Sequence, residues 1–333
     1  MDTLIDLKDV ILSILSLTNS PQSNLYWLYL LSTLILAVLI YLKRQSLRFS
    51  LSGVMRFCLP REIYRGRDIR RDIGMLLINT LLYSFFIAPY LISSASVANL
   101  SWWVLDALFG AVSFPLEGTP SRFALSVSVL LAADLGFFVS HYLQHKIAFL
   151  WEFHKVHHSS QTLNPLTAYR RHPVDIAIEG SVSGVLVGIA FGIFDYLSNG
   201  SIEMITILGI NFGLFVFLLL GAHLQHSHIR ISYGRMFNRI FISPVMHHIH
   251  HSNNPRHFDR NLGNIFSFWD ALARTRYLPV VGEPLSLGLK DGEQQFYNSV
   301  LKLYFTPVVK IFQQCLNPNR NRLDLVSKTT KQS

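Results

Sequence analysis

Apolar residues in this chain gather into long runs separated by short polar connections. A bilayer core of about 30 Å is crossed by about 20 apolar residues in a helix. Five runs reach or approach that length: Leu25 to Leu42, Met75 to Ala98, Phe123 to Ser140, Ile176 to Leu197 and Ile205 to Ala222. The last two are joined only by Ser198-Asn199-Gly200-Ser201, whose turn chemistry predicts a hairpin of two spans. Leu100 to Pro120, carrying Trp102, Trp103, Phe109 and Phe114, is expected to be interfacial or re-entrant. Gln294 to Cys315 places Phe296, Val300, Leu303, Tyr304 and Ile311 at helical spacing, which predicts a helix lying on a membrane surface. The apolar stretch Val10 to Leu17 follows Asp2, Asp6 and Asp9 rather than a basic segment, so it does not read as a cleavable leader. From Asn317 the chain is polar and is expected to be disordered. No internal repeat is evident.

This pattern predicts an all-α fold: a polytopic membrane helical bundle of about four to five transmembrane helices with a histidine-rich helical cap. Three regions are expected: an N-terminal membrane region at 1–121, a catalytic domain at 122–280, and an interfacial helix with a polar tail at 281–333.

Composition agrees with a membrane location. Half of the 333 residues are hydrophobic and 15% are charged, against roughly 25% charged in ordinary soluble domains. Two cysteines, Cys58 and Cys315, exclude a disulfide framework, a cysteine-rich zinc module and a thiolate-held iron–sulfur cluster. The net charge of +9 does not indicate nucleic acid, because much of the excess lies between two apolar runs. Lys43, Arg44, Arg48, Arg56, Arg61, Arg65, Arg67, Arg70 and Arg71 face only Glu62, Asp68 and Asp72 there. By the positive-inside rule that connection is cytoplasmic. Its basic residues would meet anionic headgroups; docking of an acidic electron donor is the sharper alternative. Counting spans onward puts all 14 histidines, His141 to His257, on the same side.

Those histidines fall in clusters. His141 and His145 frame an H-x-x-x-H at the end of the third run; His154, His157 and His158 form H-x-x-H-H, and His247, His250 and His251 form another. Helical positions three or four apart lie on one face, where two imidazoles can reach one ion. Ser243 and Pro244 supply a start signal for the last helix, and Asn254-Pro255 a stop. Eight imidazoles exceed the three or four protein ligands of a usual zinc site, so two metals is the natural count. Imidazole alone does not select iron over zinc, copper or nickel. His226 is the candidate ninth ligand, and His223 lies on the same face; an interfacial polar rim is the plainer reading of both and of His228. His172 is either a support for a ligand or part of a helix-start loop, and His248 and His257 are expected bystanders. Asp134, inside the third run, is a functional candidate by its location. It lies about 10 Å of helical rise from His141, so it is expected to line the pocket or bond a neighbouring helix rather than bind metal. Glu179 reads as a similar group or as a snorkelling carboxylate.

At these residues the chain resembles the fatty acid hydroxylase and sterol desaturase superfamily, which includes alkylglycerol monooxygenases. The resemblance runs from about Asp134 to Thr275 and rests on HYLQH (His141–His145), LWEFHKVHHSS (Leu150–Ser160), LTAYRRHP (Leu166–Pro173), SPVMHHIHHS (Ser243–Ser252), DRNLG (Asp259–Gly263) and FWDAL (Phe268–Leu272). It departs from the superfamily pattern at His228, where many members have Asn or an acid, and at Ala271 to Thr275, which lacks a Phe-Gly often found before that threonine. The resemblance implies a non-haem di-iron centre on the cytoplasmic face, with dioxygen as co-substrate and electrons from a separate cytochrome, ferredoxin or reduced pterin. Carried over residue by residue, it makes His141, His145, His154, His157, His158, His226, His247, His250 and His251 the metal ligands, with no catalytic group beyond them. His223, His228, His172, Asp134, Asp259, Asn261, Trp269 and Asp270 are the further ligand or supporting candidates. The expected activity is hydroxylation or desaturation of a lipid C–H bond, the substrate being a fatty acyl, sterol or ether lipid. The alternatives are a membrane zinc hydrolase, which needs no oxygen, and a metal transporter or sensor, whose ligands belong near the bilayer midplane rather than past the helix ends.

Overall fold

The computed structural model describes residues 7–46, 48–112, 115–290 and 292–316. Helices α1 (Leu7–Asn19) and α2 (Trp27–Arg44) precede the basic connection, which folds as α3 (Leu51–Cys58), α4 (Arg61–Tyr64) and α5 (Arg67–Leu82). Then come α6 (Ser94–Phe109), α7 (Gly118–Lys146), α8 (Ala148–His158) and α9 (Pro173–Leu197). A small hairpin, β1 (Thr206–Ile207) with β2 (Ile210–Asn211), leads into α10 (Phe212–Leu219); α11 (Gly234–Phe237), α12 (Pro244–His250), α13 (Phe268–Leu272) and α14 (Val300–Leu316) follow.

Among the described residues three helices, α2, α7 and α9, are long and apolar enough to cross a membrane. Their outer surfaces are largely uncovered: only 11% of the most apolar stretch of α9 is buried, and Leu31, Leu34, Ile35 and Leu39 of α2 are exposed. In water each Å² so exposed is unfavourable by roughly 25 cal/mol; acyl chains remove that cost. The chain is therefore a membrane protein.

Two of the five expected spans are not single helices. Met75 to Ala98 is divided among α5, a π-helical turn (Tyr83–Ile87), a 3-10 turn (Ala88–Tyr90) and the start of α6. Pro89 has no N–H to continue the ladder, and Ala88 before it keeps helical angles (φ −54°, ψ −39°) in the 3-10 turn. Ser93 then restarts the helix by accepting a hydrogen bond from the Ser96 N–H. Ile205 to Ala222 is broken because Leu208 and Gly209 both take positive φ, 52° and 76°, as a two-residue hairpin turn of type I′ requires. Asn211 next caps α10, accepting from the Gly213 and Leu214 N–H groups while its amide donates to Ser126 O in α7. With eight residues, α10 is about 12 Å long, too short to span a bilayer.

The segment expected at a membrane interface, Leu100 to Pro120, is helical as far as Phe109 and lies along α9; Phe114 falls outside the described residues. A stripe of glycines on α9 explains the fit. A Cβ on Gly184, Gly188 or Gly192 would stand 2.4–2.6 Å from the carbonyl oxygens of Ile92, Ser94 and Ala98 respectively. Backbone meets backbone there, the close approach that small residues permit between membrane helices. On another face of α9, Gly136 of α7 gives the same clearance, its Cβ position lying 2.6 Å from Ser183 Cα. So α9 is held between α6 and α7.

Beyond the ends of α7 and α9 the chain is joined by buried polar groups. Arg170 is fully buried and donates from Nε to Asp72 Oδ1 (2.5 Å) and from NH2 to Asp68 Oδ1 (3.0 Å) and Asp68 O (2.9 Å). Asn164 and Thr167 donate to the other oxygen of Asp72. The acids of the basic connection thus tie α5 to the 3-10 helix Pro165–Tyr169. The C-terminal helix forms as α14 behind a 3-10 turn (Gln294–Tyr297), buries Leu303 and Pro307 against α8 and α5, and turns Leu301, Phe305, Val309 and Phe312 outward. The expected polar tail lies outside the described residues.

Candidate metal centre

The chain turns sharply at Ile147, whose extended backbone (ψ 115°) separates α7 from α8 and folds α8 back beside the end of α7. That turn brings the first two histidine clusters together. The third arrives on α12, whose first helical residue is Pro244 after Ser243, as a proline at this position favours. His226 comes from the 3-10 helix Ala222–His226, entered through Gly221 at φ +90°.

The nine ligand candidates form two adjoining groups. His141, His145, His154, His158 and His250 make the first, and His157, His226, His247 and His251 the second; in each, the possible ligand atoms all lie within 4.8 Å of one another. Pairs four apart (141/145, 154/158, 247/251) stay in one group, whereas His157 and His250, three residues into their boxes, point into the other. Each H-x-x-H-H therefore serves both groups, which touch where the His158 and His251 rings are 4.7 Å apart.

The spacing of the ring nitrogens fits metal binding. The distance is 3.0 Å between Nε2 of His141 and His154, 2.9 Å between His226 and His247, 3.1 Å between His247 and His251 and 3.3 Å between His157 and His226. Two nitrogens bound at about 2.0–2.1 Å to one ion stand about 2.9–3.4 Å apart for angles between octahedral and tetrahedral. Nε2 of His145, His158 and His250 is buried with no hydrogen-bond partner among the described residues, which would be costly without an ion. The donor set suits a divalent transition metal. Burial lowers the imidazole pKa of His157, His158, His226, His247, His250 and His251, and neighbouring imidazoles lower it further. Near pH 7 these rings are neutral and able to coordinate.

Hydrogen bonds fix the ring orientation in the first group. The Nδ1–H groups of His141 and His250 donate to the carbonyls of Leu262 (2.7 Å) and Arg260 (3.0 Å). Those of His154 and His145 donate to the carboxylates of Asp175 (2.9 Å) and Asp259 (3.2 Å). Acceptors of this kind set the tautomer and leave Nε2 for the ion. Asp175 is itself held by Arg171, which also reaches Glu179 (2.7 Å); Asp259 is held by Lys146 at 2.7 Å. Burial opposes ionisation of Asp259, but the hydrogen bonds from His145 and Lys146 outweigh it and keep its carboxyl below the usual range. Trp151 packs against three rings of this group, 4.9 Å from His145, 5.2 Å from His158 and 6.1 Å from His154.

The remaining sequence candidates are placed as follows. Asp134 accepts from the Ile265 and Phe266 N–H groups and from Trp269 Nε1, so it bonds a neighbouring segment and does not face the imidazoles. Asp270 accepts from the Leu262 and Gly263 N–H groups and the Thr275 hydroxyl. Asn261, at φ +54°, donates to Met246 O and accepts from the Tyr277 N–H. These residues shape the loop whose carbonyls hold His141 and His250. His223, His228 and His172 lie in neither group. His228 donates to Phe57 O, His172 caps α9 by accepting from the Val174 N–H, and His223 bonds the backbone at Asn24. His248 bonds the backbone of Leu224 and Gln225, and His257 meets Glu283. Sequence reasoning missed Asp175, Arg171 and Trp151. Asp175, in the first turn of a helix behind a proline, reads from sequence as an ordinary dipole partner.

Comparison with known proteins gives this arrangement a context. Residues 126–275 match the model of the fatty acid hydroxylase family. They form a fatty acid hydroxylase domain. All nine imidazoles lie within it. The chain is 26% identical to alkylglycerol monooxygenase of Caenorhabditis elegans over 188 residues, 55% of this chain and 33% of that protein. It is 27% identical to the ornithine lipid hydroxylase OlsE of Rhizobium tropici over 185 residues, 54% of this chain and 50% of that one. The match to alkylglycerol monooxygenase of Danio rerio is 28% over 145 residues, 44% of this chain and 29% of that protein. The chain thus spans half or less of the length of these relatives. No solved structure matches it.

Proposed function

We propose that the chain is a dioxygen-dependent lipid hydroxylase in which the two imidazole groups each hold one iron ion. The observation that carries this reading is the convergence of nine imidazoles, seven of them on buried residues, nitrogen facing nitrogen, inside a fatty acid hydroxylase domain. When bound, the metal pair would supply dioxygen activation and oxidation of an unactivated C–H bond. The balance is one lipid C–H, one dioxygen, two electrons and two protons giving one C–OH and one water. No haem-attachment motif or cysteine cluster is present in the sequence, so the electrons come from a separate cytochrome, ferredoxin or reduced pterin.

The chain's own groups prepare the site. Leu262 O, Arg260 O, Asp175 and Asp259 hold the rings with Nε2 inward. Their burial keeps bulk water from the reacting centre and the imidazoles neutral. The groups gather at the C-terminal end of α7, which carries His141 and His145, and beside the start of α9, where a lipid lying in the bilayer can present a C–H bond. The basic connection between α2 and α5 supports a cytoplasmic location for this side by the positive-inside rule, in a chain that crosses the membrane several times. Residues 122–280 form the catalytic unit in this reading. The relatives, alkylglycerol monooxygenase and ornithine lipid hydroxylase, support a polar or ether lipid over a free fatty acid.

Membranes carrying the protein, given 18O-labelled dioxygen and analysed by lipid mass spectrometry, test the reading. Incorporation of one label atom into a lipid supports hydroxylation. Loss of two hydrogens without label would replace it with desaturation. An all-imidazole donor set also suits zinc, so product formation under strict anaerobiosis would overturn the oxygenase reading in favour of a hydrolase.

A further inference from the structure

The two imidazole groups are built differently around their outer nitrogens. In the first, Asp175 and Asp259 accept hydrogen bonds from His154 and His145, and two carbonyls accept from His141 and His250. In the second, Nδ1 of His157, His247 and His251 is buried with no such partner among the described residues. The guanidinium of Arg171 lies near enough to act electrostatically on His157 and His226. It opposes positive charge in the second group while its hydrogen bond steadies Asp175 beside the first.

We infer that the two metal positions are unequal: the first group takes up its ion first and retains it, and the second holds a weaker, exchangeable ion. Two features of this chain act in that direction. The first group offers five imidazoles and the second four. A carboxylate on the outer nitrogen of a ligating imidazole raises its basicity and fixes its ring, and loss of such a partner typically costs 10–100-fold in metal affinity. Because Asp175 and Asp259 are each also paired with a cation, Arg171 and Lys146, they act mainly by orienting and polarising the rings rather than by net charge. They are positioning residues for one of the two ions. The inference rests on the proposed metal-binding role of the two groups and on no particular reaction.

Trp151 provides a reporter nearer to the first group than to the second, since its ring contacts His145, His154 and His158. The full chain, in detergent or nanodiscs and stripped of metal, is titrated anaerobically with cobalt(II), which quenches nearby indole fluorescence. Two steps are expected, the first carrying the quench and the second little of it; Trp151→Phe removes the quench and keeps both steps. Asp259→Asn, at a carboxylate that is 39% exposed and can be replaced without burying a new group, is expected to weaken the first step 10–100-fold and leave the second. Asp175→Asn is expected to do the same, and His226→Ala to remove only the second step. A single step of two equal ions, or equal weakening of both by Asp259→Asn, would overturn the inference. Two unequal steps in a protein that puts no labelled oxygen into lipid would leave it standing while the hydroxylase reading fell; labelled product with two equal ions would do the reverse.

Discussion

Asp134 permits a quantitative test of how the loop at 262–270 supports the metal centre. Its buried carboxylate accepts three hydrogen bonds, from Ile265 N–H (2.9 Å), Phe266 N–H (3.1 Å) and Trp269 Nε1–H (3.0 Å). Hydrogen bonds to a charged group contribute about 1.5–3 kcal/mol each, so Asp134→Ala removes about 4 kcal/mol even at the low end and leaves three donors unpaired. That approaches the whole stability of a typical domain, about 5–15 kcal/mol, but the loss falls first on the loop. Asp134→Asn keeps one acceptor oxygen and turns an N–H₂ towards the other donors, so it loses about half as much or more. Hydrogen exchange followed by mass spectrometry should show the amides of Ile265 and Phe266 exchanging at least about a hundredfold faster in the alanine variant, since 1.4 kcal/mol is a factor of ten. Metal bound at the first group should fall with it, because the same loop supplies the Leu262 carbonyl to His141. Exchange at Ile265 and Phe266 within a factor of about three of wild type would refute the reasoning: the carboxylate would then be a passive neighbour.

His154→Ala and His250→Ala should each lose metal, measured by elemental analysis, and labelled lipid product with it; retained turnover in either would remove that residue from the ligand set. Gly188→Leu places a side chain 2.6 Å from the Ser94 carbonyl and should destabilise by about 1–3 kcal/mol through overpacking, read as a lower thermal midpoint in detergent; Ile189→Leu, on the exposed side of the same helix, should leave the midpoint unchanged. Arg170→Met strands Asp68 and Asp72 and should cost about 3–5 kcal/mol, seen as loss of folded protein in size-exclusion chromatography. Replacing both aspartates with Asn in that variant should restore part of it.

The histidine boxes were legible because coordination imposes spacing locally: a ligand four residues along a helix faces the same ion whatever the rest of the fold does. Which box serves which ion was not legible, since three and four residues are near-equivalent on one helix face and only the opposing helix decides. Asp175 escaped notice for a related reason. Its role is defined by His154, 21 residues earlier and on another helix, and nothing in its own neighbourhood marks it. Apolar length alone misplaced two spans. Pro89, Leu208-Gly209 and Asn211 each redirect the backbone inside an apolar run, and hydropathy averaged over a window outweighs single residues of that kind. The glycines at 180, 184, 188 and 192 were a readable sign of close packing, but they do not name their partner, whose residues from Leu91 to Ala98 had been read as the end of a continuous span.

That glycine seam limits how a lipid tail can travel. A polymethylene chain sliding between two helices needs a carbon–carbon contact of about 3.5–4 Å on each side of itself. Along α6 and α9 the main chains already occupy that width, and the short side chains of Val97 and Ser101 pack directly on Gly188 and Gly192. This flank is a wall, not a doorway, and any hydrocarbon tail that approaches the imidazoles from the bilayer must do so on another side of α9.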